Sequence, residues 1–347
     1  MADGGAVMYV GTYTAGNKNN AGIHIFNIDG GGRITKTGES DRINNPSYLA
    51  IEGGFLYSVM EEFSPDGERA GGIAAYRIAG LDGRLEYLNR KITNQRGSCH
   101  LSVSDDGRYI AAANYGEGSV ALFRRDEDGT VGGVSDVYNM RGELGPNAER
   151  QERTHAHCAV FRGKELFVAD LGTDLISCFT IADDKLSPSP ARSFAAAPGS
   201  GPRHIACAGK YMLCVNELTS DVTVYSDEGD KFIKLGTYPM LPDGFDRPNT
   251  AAAIHVSPCG RFAFASNRGH DSVASYEIGT DGRLTPVSIT PTRGAEPRDF
   301  SLTPDGKFLV AANQNSDTLT VFSVSGGALD YAGEYCGVPS PVCVKFR

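Results

Sequence analysis

The feature that most constrains this chain is a pattern of about fifty residues that recurs seven times along its length. The last copy is divided between the two ends, with Val342–Arg347 as its first strand and Met8–Ile34 as the rest. Self-similarity of this period is typical of β-propellers and solenoids. A copy shared by both termini favours a closed ring, because an open solenoid gains nothing from joining its ends. The clearest copies are His100–Val131, Ala253–Leu284 and Asp299–Leu329, and weaker copies begin at Tyr48, His157 and His204.

One copy is enough to predict the strands. After a first apolar run, the Asp106-Gly107 turn leads to a second run at Tyr109–Asn114. A polar loop follows, and then Ser119–Arg124 alternates apolar and polar residues, which is typical of a half-buried strand. A second Asp-Gly turn introduces a short fourth strand. The sequence therefore predicts an all-β fold, a seven-bladed β-propeller with four antiparallel strands in each blade. We expect a single domain over residues 1–347, closed by the N- and C-terminal strands in one blade.

Composition limits the kinds of partner that we expect the protein to bind and the compartment in which we expect it to work. The net charge of -9 argues against nucleic acid, which calls for a basic surface. No secretory signal and no apolar stretch of membrane-spanning length is apparent, so we expect no membrane partner. The eight cysteines include no Cys-x-x-Cys pair and lie mostly in apolar runs, as small buried residues do in a reducing compartment. We expect a cytoplasmic protein.

Strand direction predicts where a functional site lies. In an antiparallel blade, the loop before the first strand and the loop between the second and third strands share one end, and the Asp-Gly turns lie at the other. The chemically unusual residues fall in the first set of loops, whereas the second set holds mainly turn residues. We therefore expect three arginines, several histidines, a glutamate and an aspartate around one mouth of a central channel, which is typical of a polar site.

The arginines stand out because they occur only in particular copies. Arg203 and Arg298 occupy one repeat position, just before the predicted first strand, where Cys99 stands in another copy. Arg268 follows the second strand, at a position that differs in each copy. A structural role in pairing with an acid such as Asp299 is the alternative for each. Together they favour an anionic ligand, because guanidinium binds carboxylate and phosphate in bidentate geometry.

The histidines divide into repeated and unrepeated ones. His100, His157 and His204 share one repeat position, which favours hydrogen bonding between blades. His155 breaks that pattern and is the better candidate for a general base. Two residues apart on an extended segment, His155 and His157 face the same way. A His-x-His pair also occurs in metal sites, but no further ligands are apparent, so we predict no metal.

Other polar residues at the same end complete the predicted site. Glu217 is a candidate base or a charge partner for an arginine. The repeated asparagines, with Asp170 in one copy, favour turn capping. Their location also makes them candidate substrate contacts; we select Asp170, Asn114, Asn267 and Gln314, together with Arg298.

Short motifs along the whole chain resemble the lactonase family of seven-bladed propellers, which includes the propeller type of 6-phosphogluconolactonase and the fungal 3-carboxy-cis,cis-muconate lactonizing enzyme. The resemblance rests on motifs that recur in order from blade to blade. They are Tyr9–Thr14, Ala113–Tyr115, Gly118–Val120, Arg150-Gln151, His155–His157, Asp170–Gly172, Gly201–His204, Asn216–Leu218, Ser266–Asp271 and Pro297–Phe300.

The resemblance implies a lactone-handling enzyme that hydrolyses a small anionic sugar lactone, 6-phosphogluconolactone first among them, without a cofactor. It implies catalytic roles for His155 or His157, Arg203, Glu217 and Arg268. His155 or Glu217 would take a proton from water, and an arginine would stabilise the oxyanion. We expect nearby arginines to keep His155 neutral. A muconate-type cycloisomerase and a non-catalytic binding propeller stay open as alternatives. We expect a monomer or a weak homodimer.

Overall fold

A computed structural model of the protein describes residues 5–17, 19–63 and 67–347, in which all but one of the regular elements are strands of antiparallel β-sheets. Residues 1–4, part of the segment in which no secretory signal is expected, lie outside the described residues. A single 3₁₀ turn at Pro190–Arg192 is the only helical element of the described chain. No helix in this part of the protein has the length and apolar character needed to cross a membrane.

The strands, in chain order, follow the repeats. The first three are β1 (Ala6–Thr12), β2 (Ile23–Ile28) and β3 (Ile34–Glu39). The next two sheets are β4 (Leu49–Glu52), β5 (Phe55–Phe63), β6 (Arg69–Ala79), β7 (Arg84–Ile92), and β8 (Ser98–Val103), β9 (Tyr109–Asn114), β10 (Ser119–Arg125), β11 (Val131–Asn139). The following sheet is β12 (Ala156–Arg162), β13 (Glu165–Asp170), β14 (Leu175–Ala182), β15 (Lys185–Pro188), with β16 (Phe194–Ala195) also paired to β14.

The remaining strands continue the same order. They are β17 (Pro202–Ala208), β18 (Tyr211–Asn216), β19 (Asp221–Asp227), β20 (Phe232–Pro239), then β21 (Thr250–Val256), β22 (Phe262–Arg268), β23 (Ser272–Ile278), β24 (Leu284–Pro291). The last sheet of its own is β25 (Pro297–Leu302), β26 (Phe308–Asn313), β27 (Thr318–Ser325), β28 (Ala328–Cys336), and β29 (Pro341–Phe346) joins β1. The fold is the predicted all-β, seven-bladed β-propeller, with four antiparallel strands in a blade.

Turn chemistry explains the regular hairpin between the first two strands of a blade. Gly107 has φ +70° and donates its amide to the Ser104 carbonyl at 2.8 Å, while the Asp106 carboxylate accepts the Arg108 amide at 3.1 Å. Gly306 repeats this geometry with φ +70°. An L-residue with a side chain strains at such a φ, so the recurring glycine fixes the turn.

Three details differ from the sequence prediction. The fourth strand is not short, since β11 has nine residues and pairs along most of β10. The third full repeat carries the additional strand β16. Arg203 and Arg298 do not precede the first strand but are the second residues of β17 and β25. The sequence pattern places them in the loop because a proline, Pro202 or Pro297, precedes each of them, and proline is more typical of loops than of strands.

Two compact units divide the chain. Unit 1 comprises residues 1–13, 23–38 and 204–347, and unit 2 comprises residues 14–22 and 39–203. In unit 1, β29 pairs antiparallel with β1, and Val10 lies opposite Val344. Strands from both ends of the chain therefore share one blade, as predicted. The hydrophobic core beneath this pairing joins Met8, Val344 and Leu319, all fully buried. The single domain over 1–347 stays a prediction.

A buried charged cluster links three sheets within unit 1. The Asp299 carboxylate on β25 accepts hydrogen bonds from His255 Nε2 of β21 at 3.0 Å and from the Val344 amide of β29 at 3.1 Å. Lys345 Nζ lies 3.5 Å from the same carboxylate. Burial alone would raise the pKa of Asp299, but Lys345, His255 and the Val344 amide together hold that pKa below its ordinary value.

In unit 2, apolar side chains of consecutive blades pack on each other. One core cluster of buried residues joins Tyr57 and Ile73 to Leu101 and Phe123, and another joins Leu122 to Val168. Polar contacts reinforce the packing, since the Tyr57 hydroxyl donates to the Gly129 carbonyl at 2.9 Å. Apolar packing and hydrogen bonds thus fix these consecutive blades against each other.

Candidate active site

The structure brings together two of the predicted catalytic residues in unit 1. Glu217 follows β18 directly, and Arg268 is the last residue of β22 in the next blade. Arg268 Nη2 lies 3.1 Å from Glu217 Oε2 and donates to the Ala251 carbonyl at 3.0 Å. The Ala251 amide in turn donates to the Glu217 carbonyl at 3.1 Å. The ion pair is therefore held by backbone contacts between the two blades.

Burial makes this ion pair unusual. The Glu217 side chain is 4% exposed and that of Arg268 is 10% exposed. Charged side chains are seldom buried in a fold unless they are paired, and burial of the pair opposes both charges. A carboxylate and a guanidinium in such surroundings interact with a bound substrate far more strongly than they would in water. The arrangement suits proton transfer and charge stabilisation.

Two further predicted residues of unit 1, Arg298 and Gln314, contribute a charged and a polar side chain. The Arg298 guanidinium stands over the Tyr13 ring at 5.3 Å, so its neighbour is an aromatic ring and not Asp299. The structural alternative of an Arg298–Asp299 pair is therefore wrong. Gln314 follows β26, and its buried Oε1 has no hydrogen-bond partner in the described part of the chain. Buried acceptors without a donor are rare in folded proteins.

The repeated asparagines are occupied within their own sheets. Asn114 Nδ2 donates to Ser119 Oγ at 3.1 Å, and Asn267 Nδ2 donates to Ser272 Oγ at 3.2 Å. Asn313 makes the same contact with Thr318, five residues on. This recurring bond ties the end of the second strand to the start of the third. These bonds give Asn114 and Asn267 a structural role within their sheets, and their contact with a substrate stays a prediction.

A second group of predicted residues lies in unit 2, around the ring of Tyr115. His155 stacks on that ring with centroids 4.2 Å apart, and His157 meets it edge-on at 5.4 Å. Both histidines are buried. As their two-residue spacing predicts, they face the same neighbour. Cys99 Sγ lies 3.9 Å from His157 Nδ1.

The contacts of His155 differ from the expected ones. Its Nδ1 lies 3.0 Å from the Tyr115 carbonyl, and its Nε2 lies 3.1 Å from Glu152 Oε1. The contact with Glu152 was not predicted, and the neutral form of the ring stays a prediction. The hydrogen bond from His155 holds the pKa of Glu152 below its ordinary value.

Sequence reasoning missed Glu152 and Tyr115. Residues three apart on an extended segment do not face each other, so the strand period gave no reason to join Glu152 to His155. The chain bends between Gln151 and the start of β12, and this bend brings them together. Tyr115 stands at the repeat position of Arg268, which differs in each copy. Its replacement by other residue types in other copies was the available signal.

Asp170 and Arg203 are both buried, with different surroundings. Asp170 Oδ1 accepts the His155 amide at 2.7 Å and the Gly172 amide at 2.9 Å, which positions the histidine segment. Burial raises the pKa of Asp170 against the effect of these two hydrogen bonds. The Arg203 side chain, on β17, is among the largest fully buried side chains of the protein.

The repeated histidine position has the structural role predicted for it at His100. His100 Nδ1 accepts the Ala159 amide of the next blade at 3.3 Å, and its ring stacks on Tyr48 at 4.0 Å. The hydrogen bond and the stacking connect three consecutive blades of unit 2. His100 thus differs from His155, which has no counterpart in the other copies and whose ring lies against the Tyr115 carbonyl of the preceding blade and Glu152 of its own loop.

Two observations concern other binding sites. Among the described residues, no group of three or more His, Cys, Asp or Glu side chains could hold a metal ion. A polar cavity of about 320 Å³ in unit 2 lies between the β1–β2 loop and the segment before β4. Thr14, Asn45, Glu61 and Arg69 are among its lining residues, and none of the predicted site residues lines it.

Comparison with known proteins gives one consistent result. The family described as lactonase, 7-bladed beta-propeller, matches residues 7–346. A 6-phosphogluconolactonase of Bacillus subtilis is 36% identical over 350 residues, covering 97% of each chain. A crystal structure of a Lactobacillus plantarum protein superposes with a TM-score of 0.90 at 30% identity, over 99% of both chains. A periplasmic gluconolactonase of Pseudomonas aeruginosa superposes with a TM-score of 0.88 at 31% identity, again over 99% of both.

Proposed function

Because this chain belongs to the lactonase family of seven-bladed β-propellers, we propose that it is a lactone hydrolase whose substrate is 6-phosphogluconolactone and whose product is 6-phosphogluconate. The similarity to the Bacillus subtilis 6-phosphogluconolactonase extends over almost the whole of both chains. A related gluconolactonase indicates that sugar lactones without phosphate also belong to the family's range. No cofactor is needed, since a lactone is an activated ester.

The observation that carries this proposal is the buried Glu217–Arg268 pair at 3.1 Å. We propose Glu217 as the general base, which takes a proton from the attacking water. The water oxygen then bonds to the lactone carbonyl carbon, and the carbonyl oxygen becomes negatively charged. Arg268 stabilises this oxyanion, an interaction that gains strength in surroundings shielded from water. When the tetrahedral intermediate collapses, the bond from the carbonyl carbon to the ring oxygen breaks.

Two further residues of unit 1 fit a sugar acid. We propose that Arg298 binds the anionic end of the substrate, since it is only partly buried and its guanidinium bears on the Tyr13 ring. Gln314 Oε1 would accept a hydrogen bond from a sugar hydroxyl. Arg298→Ala should then raise the KM for the phosphorylated lactone about tenfold and leave the KM for glucono-1,5-lactone within twofold.

The family resemblance also assigns catalytic roles to His155, His157 and Arg203, and these stay part of the proposal. Each is buried, so an alanine substitution would disturb packing as well as chemistry. His157→Asn and Arg203→Lys are the more conservative tests. If either variant keeps full turnover at an unchanged melting temperature, the corresponding role is excluded.

A substrate screen tests the activity itself. Purified protein is assayed for hydrolysis of 6-phosphogluconolactone, glucono-1,5-lactone and a neutral γ-lactone, with the uncatalysed rates subtracted. Carboxymuconates are tested in parallel for lactone formation. We expect the phosphorylated sugar lactone to give the highest kcat/KM and Glu217→Gln to lose that activity. Activity on muconates alone would favour the cycloisomerase, and binding of a sugar acid without turnover would favour a non-catalytic propeller.

Oligomeric state and compartment complete the proposal. We propose a monomer or weak homodimer in the cytoplasm, and no nucleic-acid or membrane partner. All eight cysteines are free thiols, which suits a reducing compartment. Sedimentation velocity tests the oligomeric state, and fractionation of cells that produce the protein tests the compartment.

A further inference from the structure

Asp271 of unit 1 has a carboxylate that joins two of the segments carrying the proposed site residues. Its Oδ1 accepts the Gly269 amide at 3.2 Å and the Glu296 amide of the next blade at 2.9 Å. Gly269 directly follows Arg268, and Glu296 lies two residues before Arg298. One oxygen atom therefore links the loop after β22 to the segment that enters β25.

The position of Asp271 recurs in the repeat, and so does this kind of contact. Asp174 accepts two amides of the segment before β17 at 2.6 and 2.8 Å, and Asp317 accepts the Ser340 amide at 2.7 Å. All three aspartates have a left-handed backbone, with φ of 54° or 55°. Each carboxylate thus binds the backbone that leads into the first strand of the following blade. In the copy with Asp271, that backbone carries an arginine that we propose to bind the substrate.

Arg298 stands where its direction depends on the residues on both sides of it. The pairing of β25 with β26 passes over Arg298 between Pro297 and Asp299, so Arg298 is the additional residue of a β-bulge. Bulges occur often beside active sites, where they redirect a side chain. On the strand side, the contacts of Asp299 with two other sheets fix the backbone. On the loop side, the backbone is fixed at Glu296.

Glu296 is held in a conformation that is unfavourable for its residue type. Its φ is +59°, in the left-handed region that glycine, asparagine and aspartate adopt more readily than glutamate. The Asp271 carboxylate binds its amide, and its carbonyl accepts the Gln314 amide at 2.9 Å. Without that carboxylate, the segment before β25 can relax to an ordinary φ. Such a change would move both Arg298 and the backbone that holds Gln314.

We propose that Asp271 is a positioning residue for substrate binding, which sets the direction of Arg298 and Gln314 and thereby the affinity for an anionic sugar lactone. The inference rests on the proposed function. Asp271 acts through the backbone and does not touch the substrate. Its loss should therefore weaken binding of the phosphorylated lactone more than it slows the chemical step. This kinetic signature is the reverse of the one expected for Glu217, which acts on the reacting atoms.

Two substitutions separate the hydrogen bonds of Asp271 from its charge. Asp271→Gly removes the acceptor and suits the positive φ, as Gly118 does with φ +62° at the same position of another copy. Asp271→Asn also suits that φ and retains one oxygen, which can accept both amides. Asp305→Gly is the matched control, because Asp305 accepts the Lys307 amide at 3.1 Å at the opposite end of the same blade as β25.

The first measurement is steady-state hydrolysis of 6-phosphogluconolactone and glucono-1,5-lactone. Asp271→Gly should raise the KM for the phosphorylated lactone about three- to tenfold, with kcat and the KM for glucono-1,5-lactone within about threefold. Asp271→Asn should keep the native KM within about twofold, and so should Asp305→Gly. An unaltered KM in Asp271→Gly overturns the proposal. A KM that Asp271→Asn raises equally also overturns it, because the charge and not the contact would then matter.

The second measurement does not depend on turnover. Calorimetric titration with 6-phosphogluconate, the proposed product, should give a Kd about three- to tenfold higher in Asp271→Gly than in the native protein, and a native Kd in Asp305→Gly. Hydrogen exchange followed by mass spectrometry should be faster for the peptide that contains Glu296 in Asp271→Gly only. Faster exchange with an unchanged Kd assigns Asp271 to stability alone and overturns the proposal. If Asp271→Gly does not fold, Asp271→Ser takes its place, since Ser220 stands at this position in another copy.

The two measurements separate this inference from the proposed function. If the native protein binds 6-phosphogluconate but hydrolyses no lactone, the proposed function fails, and a higher Kd in Asp271→Gly still supports the inference. If the native protein hydrolyses the phosphorylated lactone and Asp271→Gly keeps the native KM and Kd, the proposed function stands and the inference fails. A native protein that neither binds nor hydrolyses these compounds contradicts both.

Discussion

Two buried carboxylates of unit 1 face basic side chains, yet they occupy different positions of the repeat. Asp299 stands at the start of a first strand, where His100 stands in another blade, and both residues bond to a neighbouring blade. Glu217 follows a second strand, at the position held by Tyr115, Arg268 and Gln314 elsewhere. The first position serves assembly of the blades, and the second differs from blade to blade, as specific chemistry requires.

The groups that contact the two carboxylates also differ. The Asp299 oxygens accept hydrogen bonds from the His255 ring and the Val344 amide of two other sheets, and the Lys345 ammonium lies nearby. The Glu217 side chain is paired with a guanidinium that stands at another variable position. From this comparison we predict that a buried charge at a repeated position serves mainly to hold blades together, whereas one at a variable position acts on a ligand. The following predictions test that distinction.

The largest effect should come from removing the strand that closes the terminal blade. Deletion of Val342–Arg347 removes the partner of β1 and two of the groups that bind Asp299. The exposed edge and the unpaired buried carboxylate should lower the melting temperature by more than about 10 °C or prevent folding. Differential scanning calorimetry measures this. Arg347→Ala, which keeps the strand, is the control, and a truncated chain that melts like the full chain would contradict the closure.

The next largest effect should be on catalysis. Glu217→Gln removes the proposed base and should lower kcat for 6-phosphogluconolactone roughly 10²–10⁴-fold with little change in KM. The glutamine carbonyl still accepts from Arg268, so the loss of stability should be smaller than for a change at Asp299. Steady-state kinetics and thermal melting of the same sample measure both. If Glu217→Gln melts far below the native protein and turns over normally, Glu217 is structural.

Asp299→Asn should reduce stability and leave catalysis nearly unchanged, the reverse of what is expected for Glu217→Gln. Asparagine offers one acceptor oxygen and one NH₂ group to surroundings in which His255, Val344 and Lys345 all donate. The mismatch should reduce the free energy of unfolding by about 3–5 kcal/mol, as for other broken buried ion pairs. Turnover at a temperature well below the transition should stay within twofold. Denaturant titration measures the stability, and a selective loss of kcat would undo the distinction between the two positions.

The same carboxylate should give the protein a pH dependence. The pKa of Asp299 is lowered in the folded state, so its stabilising effect is present above the ordinary aspartate pKa near 4. This contribution is lost as the pH falls below about 4, because the unfolded chain then binds a proton that the folded one does not. Unfolding measured between pH 7 and pH 3 should therefore become less pH-dependent in Asp299→Asn. Parallel curves for the two proteins would rule out this source of acid sensitivity.

The sequence predicts much of the fold because each repeat carries its own turn glycines and strand alternation. Strands such as β9 agree with the prediction to the residue, and the shared terminal blade follows from the divided repeat. At the site, the position in the repeat was enough to distinguish Glu217 and Arg268, which differ from copy to copy, from the asparagines that recur. It could not reveal Glu152 beside His155, because that contact depends on how an irregular segment bends. The partners of Asp299 were also unpredictable, because His255 and Lys345 come from strands distant in sequence.

The smallest effect, and the finest test of the distinction, concerns Gln314. It stands at the same variable position as Glu217, and its buried Oε1 has no hydrogen-bond partner among the described residues. An unsatisfied acceptor costs about 1–3 kcal/mol, so a residue retained for packing alone would do better without it. Gln314→Met, of similar volume, should therefore leave the melting temperature unchanged or slightly raised, while the KM for the sugar lactone rises about three- to tenfold. Asn315→Ala, at the exposed next residue, should change neither quantity. If Gln314→Met destabilises the protein and leaves KM unaltered, Gln314 belongs with Asp299 among the residues that hold the blades, and variability between blades does not by itself mark a ligand contact.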